Sequence, residues 1–144
     1  MPIKSFRGLL AHGAQETVHL HTNDGSVGYR LMKLDTIDKD PGTNSLENVL
    51  KIYKVKQSSI DGSIDFSDQT LIGVAYFENN TSTTYGSWKQ IIFDKEIFNQ
   101  DIYITSNDNS GSGIAMNYYI ELEQVKLDLN ENTVATLKDI RNQS

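Results

Sequence analysis

The sequence predicts an all-β fold, a β-sandwich or jelly roll of about seven or eight antiparallel strands with a short C-terminal helix. Three observations carry that expectation. The dominant hydrophobic period is two residues, so side chains alternate between a core face and a water face. Turn-forming clusters such as Asn23-Asp24-Gly25, Asp40-Pro41-Gly42 and Asp61-Gly62 punctuate the chain between apolar runs. Apolar residues make up 38% of the 144 residues. That suits sheets with one wet face better than a parallel sheet buried on both sides.

From Thr17 to Thr22 the chain reads Thr-Val-His-Leu-His-Thr, with Val18 and Leu20 on one face and His19 and His21 on the other. Asn23-Asp24-Gly25 tolerates positive φ and is expected to close a hairpin. Its second strand covers 27–37, with Tyr29, Leu31 and Leu34 on the buried side. Residues 38–45 contain no apolar side chain and form a loop. The next strand, 46–57, alternates Leu50 and Ile52 with Lys51 and Tyr53. Residues 58–70 are a turn-rich connection anchored by Ile64 and Phe66.

Leu71 to Phe77 is nearly continuous in apolar character, as a central strand requires. A polar loop, 79–87, separates it from a strand at Trp88–Phe93. A further strand centres on Ile102, Tyr103 and Ile104, and the polar stretch Ser106 to Gly113 follows. The longest strand spans 114–127. Its apolar phase changes between Tyr118, Ile120, Leu122 and Val125, Leu127, so a bulge near Glu123 or Gln124 is expected. Asn130 is placed to cap a helix over about 131–141, with Val134, Leu137 and Ile140 along one side. With no internal repeat and no long linker, residues 1–144 read as one domain.

Composition excludes several chemistries. There is no cysteine, hence no disulfide, zinc-thiolate site or thiol nucleophile. A net charge of −6 argues against binding phosphate backbones, so no nucleic-acid partner is expected. No long apolar run occurs, so neither a signal peptide nor a membrane partner is expected.

The His19-x-His21 pair could grip a metal only with a third ligand, and a solvent-facing strand accounts for it more simply. Asp35, Asp38 and Asp40, like Asp61, Asp65 and Asp68, could offer oxygens to calcium but lack EF-hand spacing. Turn formation is the expected role of both groups. Ser106 to Gly113 lacks the Lys-Ser or Lys-Thr of a phosphate loop, and no Gly-x-Ser-x-Gly elbow exists. Glu121 and Glu123 read as a solvated strand face.

No catalytic, cofactor-binding or metal-binding residue is therefore assigned, and no enzyme activity or cofactor is expected. Aromatics are the better candidates, because they anchor subunit interfaces. Tyr85 and Trp88 flank Gly86-Ser87; Trp88 is expected first in the core, Tyr85 at the surface. Tyr118 and Tyr119 are adjacent, so one of them faces outward. The candidate interface comprises Tyr85, Trp88, Tyr118, Tyr119 and the helix stripe Val134, Leu137 and Ile140.

Longer phrases add a resemblance. They are Thr22-Asn23-Asp24-Gly25 with Gly28-Tyr29-Arg30, Asn48-Val49-Leu50-Lys51-Ile52-Tyr53-Lys54, and Ile92-Phe93-Asp94-Lys95-Glu96-Ile97-Phe98-Asn99-Gln100-Asp101-Ile102-Tyr103. Asn117-Tyr118-Tyr119-Ile120-Glu121-Leu122-Glu123 and Asn130-Glu131-Asn132-Thr133-Val134-Ala135-Thr136-Leu137-Lys138 belong with them. Together these phrases resemble small virion structural proteins of marine tailed bacteriophages. The resemblance implies a non-enzymatic particle component, with capsid decoration the first expectation. Such a protein is made in the host cytoplasm and binds the major capsid protein or other virion proteins. It works as a small homo-oligomer, a trimer being favoured. A tail, baseplate or fibre component is the first alternative. A carbohydrate-binding module using Tyr85, Trp88 and an Asp-rich loop is the second.

Overall fold

The structure, a computed structural model, describes residues 2–22, 25–41, 45–79 and 87–127. Among them are eight strands and no helix. In chain order they are β1 (Ile3–Leu10), β2 (Gln15–Val18), β3 (Val27–Asp38), β4 (Leu46–Tyr53), β5 (Leu71–Asn79), β6 (Ser87–Phe93), β7 (Ile102–Asp108) and β8 (Met116–Lys126). The helix expected at 131–141 lies outside the described residues.

Two antiparallel sheets form a sandwich-like arrangement. One has the order β1-β8-β3, the other β2-β7-β4-β5-β6. The alternation read from the sequence decides what lies between them. Leu31 and Leu34 of β3, with Tyr118, Ile120 and Leu122 of β8, meet Leu50, Ile52, Ala75, Ile102 and Ile104 of the second sheet. Each such side chain, fully withdrawn from water, contributes about 1.5–3 kcal/mol, or somewhat less for Ala75 with its single methyl.

Pairing is nested: β1 lies against β8, β2 against β7, and β4 against β5. The β3 edge is met by a bridge at Tyr29 and Phe98, closed by reciprocal backbone hydrogen bonds of 2.7 and 2.9 Å. The ring of Phe98 stacks on Tyr29 beneath it. Lys89 of β6 also reaches β3, its Nζ lying 2.7 Å from Asp35 Oδ1 and 2.9 Å from the Thr36 carbonyl.

Several expectations need correction. β2 and β3 do not form a hairpin, because they belong to different sheets and each pairs with a strand from the C-terminal third of the chain. A turn signal marks a reversal but cannot say whether the chain stays in its sheet. The strand expected from Thr17 to Thr22 ends at Val18. Leu20 is nonetheless buried, held inward by the bond from its N–H to Asp101 Oδ1 at 2.7 Å. The bulge expected in β8 near Glu123 or Gln124 is instead an extra residue on β3, between Leu31 and Lys33 and opposite Leu122 and Glu121.

Lys51 and Tyr53, expected on a wet face, are buried. The segment 54–70 folds over that face of β4 and covers a second small cluster of Val49, Tyr53, Leu71 and Val74. β1 was not anticipated at all, although Phe6, Gly8 and Leu10 turn inward while Ser5, Arg7 and Leu9 turn out.

Candidate functional site

The outer face of the five-stranded sheet carries the most exposed apolar surface. Successive outward residues on β5 are Val74 and Tyr76, opposite Ile92 and Gln90 of β6. Ile64 and Phe66, expected as anchors of the 58–70 connection, instead form a wall above these strands. Trp88 closes the other side. Together these residues line an open groove of about 280 Å³. Trp88 is 57% exposed and Phe66 64%, so the expectation that Trp88 lies in the core is overturned. Its ring stands edge-on to Tyr76 at 5.4 Å. Trp88 is in the outward phase at the start of β6, and among the described residues no strand pairs beyond β6.

The segment forming the Ile64–Phe66 wall is pinned by a buried cation. Lys51 Nζ donates to the Ser63 carbonyl at 2.6 Å and to Asp61 Oδ1 at 3.1 Å, and lies 5.5 Å from the Tyr53 ring centre. That ammonium holds the Asp61 carboxyl below its usual range. At the other end of the groove, Glu47 and Glu78 face each other across β4 and β5. Tyr76 Oη donates to Glu78 Oε2 at 3.0 Å. Burial first, then Glu78 and Glu47, push the Tyr76 phenol up to about 12. It stays protonated and keeps its donor between the carboxylates.

A second groove, of about 630 Å³, lies on the outer face of β1-β8-β3. Arg7, Tyr119 and Asp35 form one cross-strand row; Leu9, Asn117 and Ile37 form the next. Tyr119 is the outward member of the tyrosine pair, as alternation requires, and Tyr118 is buried. Lys33 Nζ sits 5.6 Å from the Tyr119 ring centre, while Tyr119 Oη donates to Glu121 Oε2 at 2.7 Å. Tyr118 points between the sheets, where burial and a hydrogen bond to Glu16 raise its phenol well above the usual value.

The titratable groups singled out in the sequence serve as staples. His19 and His21 both approach Asp101, at 3.5 and 2.7 Å. His12 is elsewhere, its Nδ1 accepting from the Asp108 N–H at 2.8 Å. Among the described residues no three His, Asp or Glu side chains converge as a metal site. Asp38, Asp65 and Asp68 accept hydrogen bonds from residues two positions on, the turn-forming role expected of them. Asp108 closes the turn after β7, accepting from Ser110 and from the Ile114 N–H.

No protein-family model, no curated protein and no solved structure matches the chain.

Of the seven candidate interface residues, Trp88 and Tyr119 lie on outer faces and belong to different grooves. Tyr118 is turned into the sandwich. Tyr85, Val134, Leu137 and Ile140 lie outside the described residues. Sequence reasoning missed Arg7 and Leu9, because it assigned no strand to the first ten residues, and Lys33 and Ile37, because it followed only the buried side of the strand at 27–37. The alternation there was the available signal.

Proposed function

We propose that the chain is a non-enzymatic structural protein of a tailed-phage virion that works by assembly, first as a capsid decoration protein. The observation that carries the assembling role is the concentration of exposed large apolar side chains in grooves on the two outer sheet faces. Patches of this kind mark association surfaces. The groove holding Trp88 offers few polar atoms: the Tyr76 hydroxyl is committed to Glu78, leaving Gln90 and the indole N–H. A sugar needs a denser set of donors and acceptors, so apolar protein side chains are the better-fitting occupants.

The nested pairing supports the finer architectural reading, a jelly roll. Rolling up one long hairpin places the first strand beside the last, the second beside the seventh and the fourth beside the fifth. The Tyr29–Phe98 bridge and the Lys89 contacts stand where the third and sixth strands would meet. Jelly rolls serve in viral capsids and in lectins alike, so the fold agrees with a shell component without selecting it. The virion assignment draws on the resemblance of the quoted phrases to phage structural proteins.

The test is binding of purified, labelled protein to capsids assembled without it, followed by sedimentation and imaging. Saturable binding at regular positions on the shell is expected. Labelling confined to tails would move the assignment to a tail component, and no binding to either would end the virion reading.

A further inference from the structure

Six of the seven exposed large apolar side chains among the described residues fall in the two grooves, two in one and four in the other. The grooves lie on the opposed outer faces of the sandwich, so one contact cannot cover both. On balance, their charges outside ion pairs differ in sign. Beside Leu9 and Ile37, the first face carries Arg7 and Lys33, neither of which forms an ion pair with a carboxylate among the described residues. Of the carboxylates on the same face, Asp35 is held by Lys89 and Glu123 by Arg30, while Glu121, opposite Lys33, accepts from Tyr119 Oη. Beside Phe66 and Trp88, the second face carries Glu47 and Glu78. They are directly opposed across adjacent strands, an arrangement that repels, and among the described residues no cation pairs with either. By contrast Arg30, Lys51, Lys54 and Lys89 each have a carboxylate partner.

We infer that the two faces bind each other: the Arg7–Lys33 face of one copy seats on the Trp88–Phe66 groove of the next. The occupant of the groove is thus a second copy of this chain, presenting Leu9 and Ile37 to the aromatic wall and cations to Glu47 and Glu78. A contact between two different faces is heterologous. It closes into a ring when the rotation permits and otherwise grows as a filament. Opposite charges fix the register and suppress face-to-same-face pairing, since like charges brought together repel. The inference rests on reading the chain as an assembling protein, but it concerns self-association and not the shell.

The full chain and two charge-reversed variants, R7E/K33E and E47K/E78K, are measured by light scattering and sedimentation, with circular dichroism to establish that each is folded. Wild type is expected to associate, less strongly as salt rises. Each variant alone is expected to associate about tenfold more weakly or worse. An equimolar mixture of the two restores association, because each then offers a face complementary to the other. Ile37→Asn and Trp88→Ala, which leave the charges intact, are each expected to weaken the wild-type contact. A wild-type monomer up to about 0.1 mM overturns the inference. So does a mixture that stays monomeric, or an oligomer indifferent to one of the two faces. Binding to bare capsids, measured separately, is unaffected in principle: a monomer that binds shells defeats this inference and leaves the decoration reading standing.

Discussion

Asp101 lies one residue before β7 and receives three hydrogen bonds at one oxygen: from the N–H groups of Leu20 and His21 and from the His21 ring. Burial by itself raises its pKa, but these donors outweigh burial and hold the carboxyl down to about 2 against an ordinary 3.8. A carboxyl with a depressed folded-state pKa stabilises the fold above its unfolded value, and that contribution is lost as pH falls through the folded one. Asp101→Asn should therefore lower the melting temperature at neutral pH, by an amount corresponding to about 1–2 kcal/mol. The gap between wild type and variant should close between about pH 4 and pH 2. A gap independent of pH over that window would mean the carboxylate charge is not what matters. Lys51 makes a second case. Lys51→Met keeps the stem and removes the donors to Asp61 and Ser63. It should speed limited proteolysis within residues 58–66 while the rest of the domain keeps its protection. The His19-x-His21 spacing was legible in the sequence; its partner was not, because Asp101 lies 80 positions from His21 and only the β2–β7 pairing brings them together.

At the level of elements, periodicity located the strands and failed on their partners. β3 through β8 were recognisable from alternation and turns, since those signals are local. The assignment of β2 and β3 to separate sheets was not, since it depends on the C-terminal strands they pair with. β1 was hidden by Arg7 and Gly8, which break its apolar reading although Gly8 has a structural reason. Gly8 is the cross-strand partner of Tyr118, and a Cβ there would stand 3.0 Å from the Tyr118 ring. The ring fills the space a side chain would occupy and carries its hydroxyl across to Glu16 on β2. Gly8→Ala must displace that buried ring, and should cost about 1–3 kcal/mol by the usual measure of overpacking. Urea unfolding would show a lower midpoint with an unchanged slope. Wild-type stability in the variant would mean that β1 can shift outward without loss.

For the whole molecule, the two sheets have closed cores within and incompletely covered surfaces without. The covering segment 54–70 explains part of this. It buries Lys51, Tyr53 and Val74 but leaves Ile64 and Phe66 exposed at its edge, so the face is apolar where a solvated sheet would be charged. Trp88 makes that face observable, because it is the only tryptophan in the chain and is more than half exposed. Isolated chains should show the red-shifted emission of a wet indole. As concentration rises, the emission should move to the blue in step with the rise in mass, because the contact withdraws the ring from water. R7E/K33E should move that concentration dependence about tenfold higher or further, even though Arg7 and Lys33 lie on the other sheet and do not line the groove that holds the indole. A change propagated from one face to the signal on the other is what a contact between unlike faces produces. A like-face contact centred on Trp88 would leave that variant's spectrum responding as wild type does. Mass increasing at constant emission would place the interface away from the groove altogether.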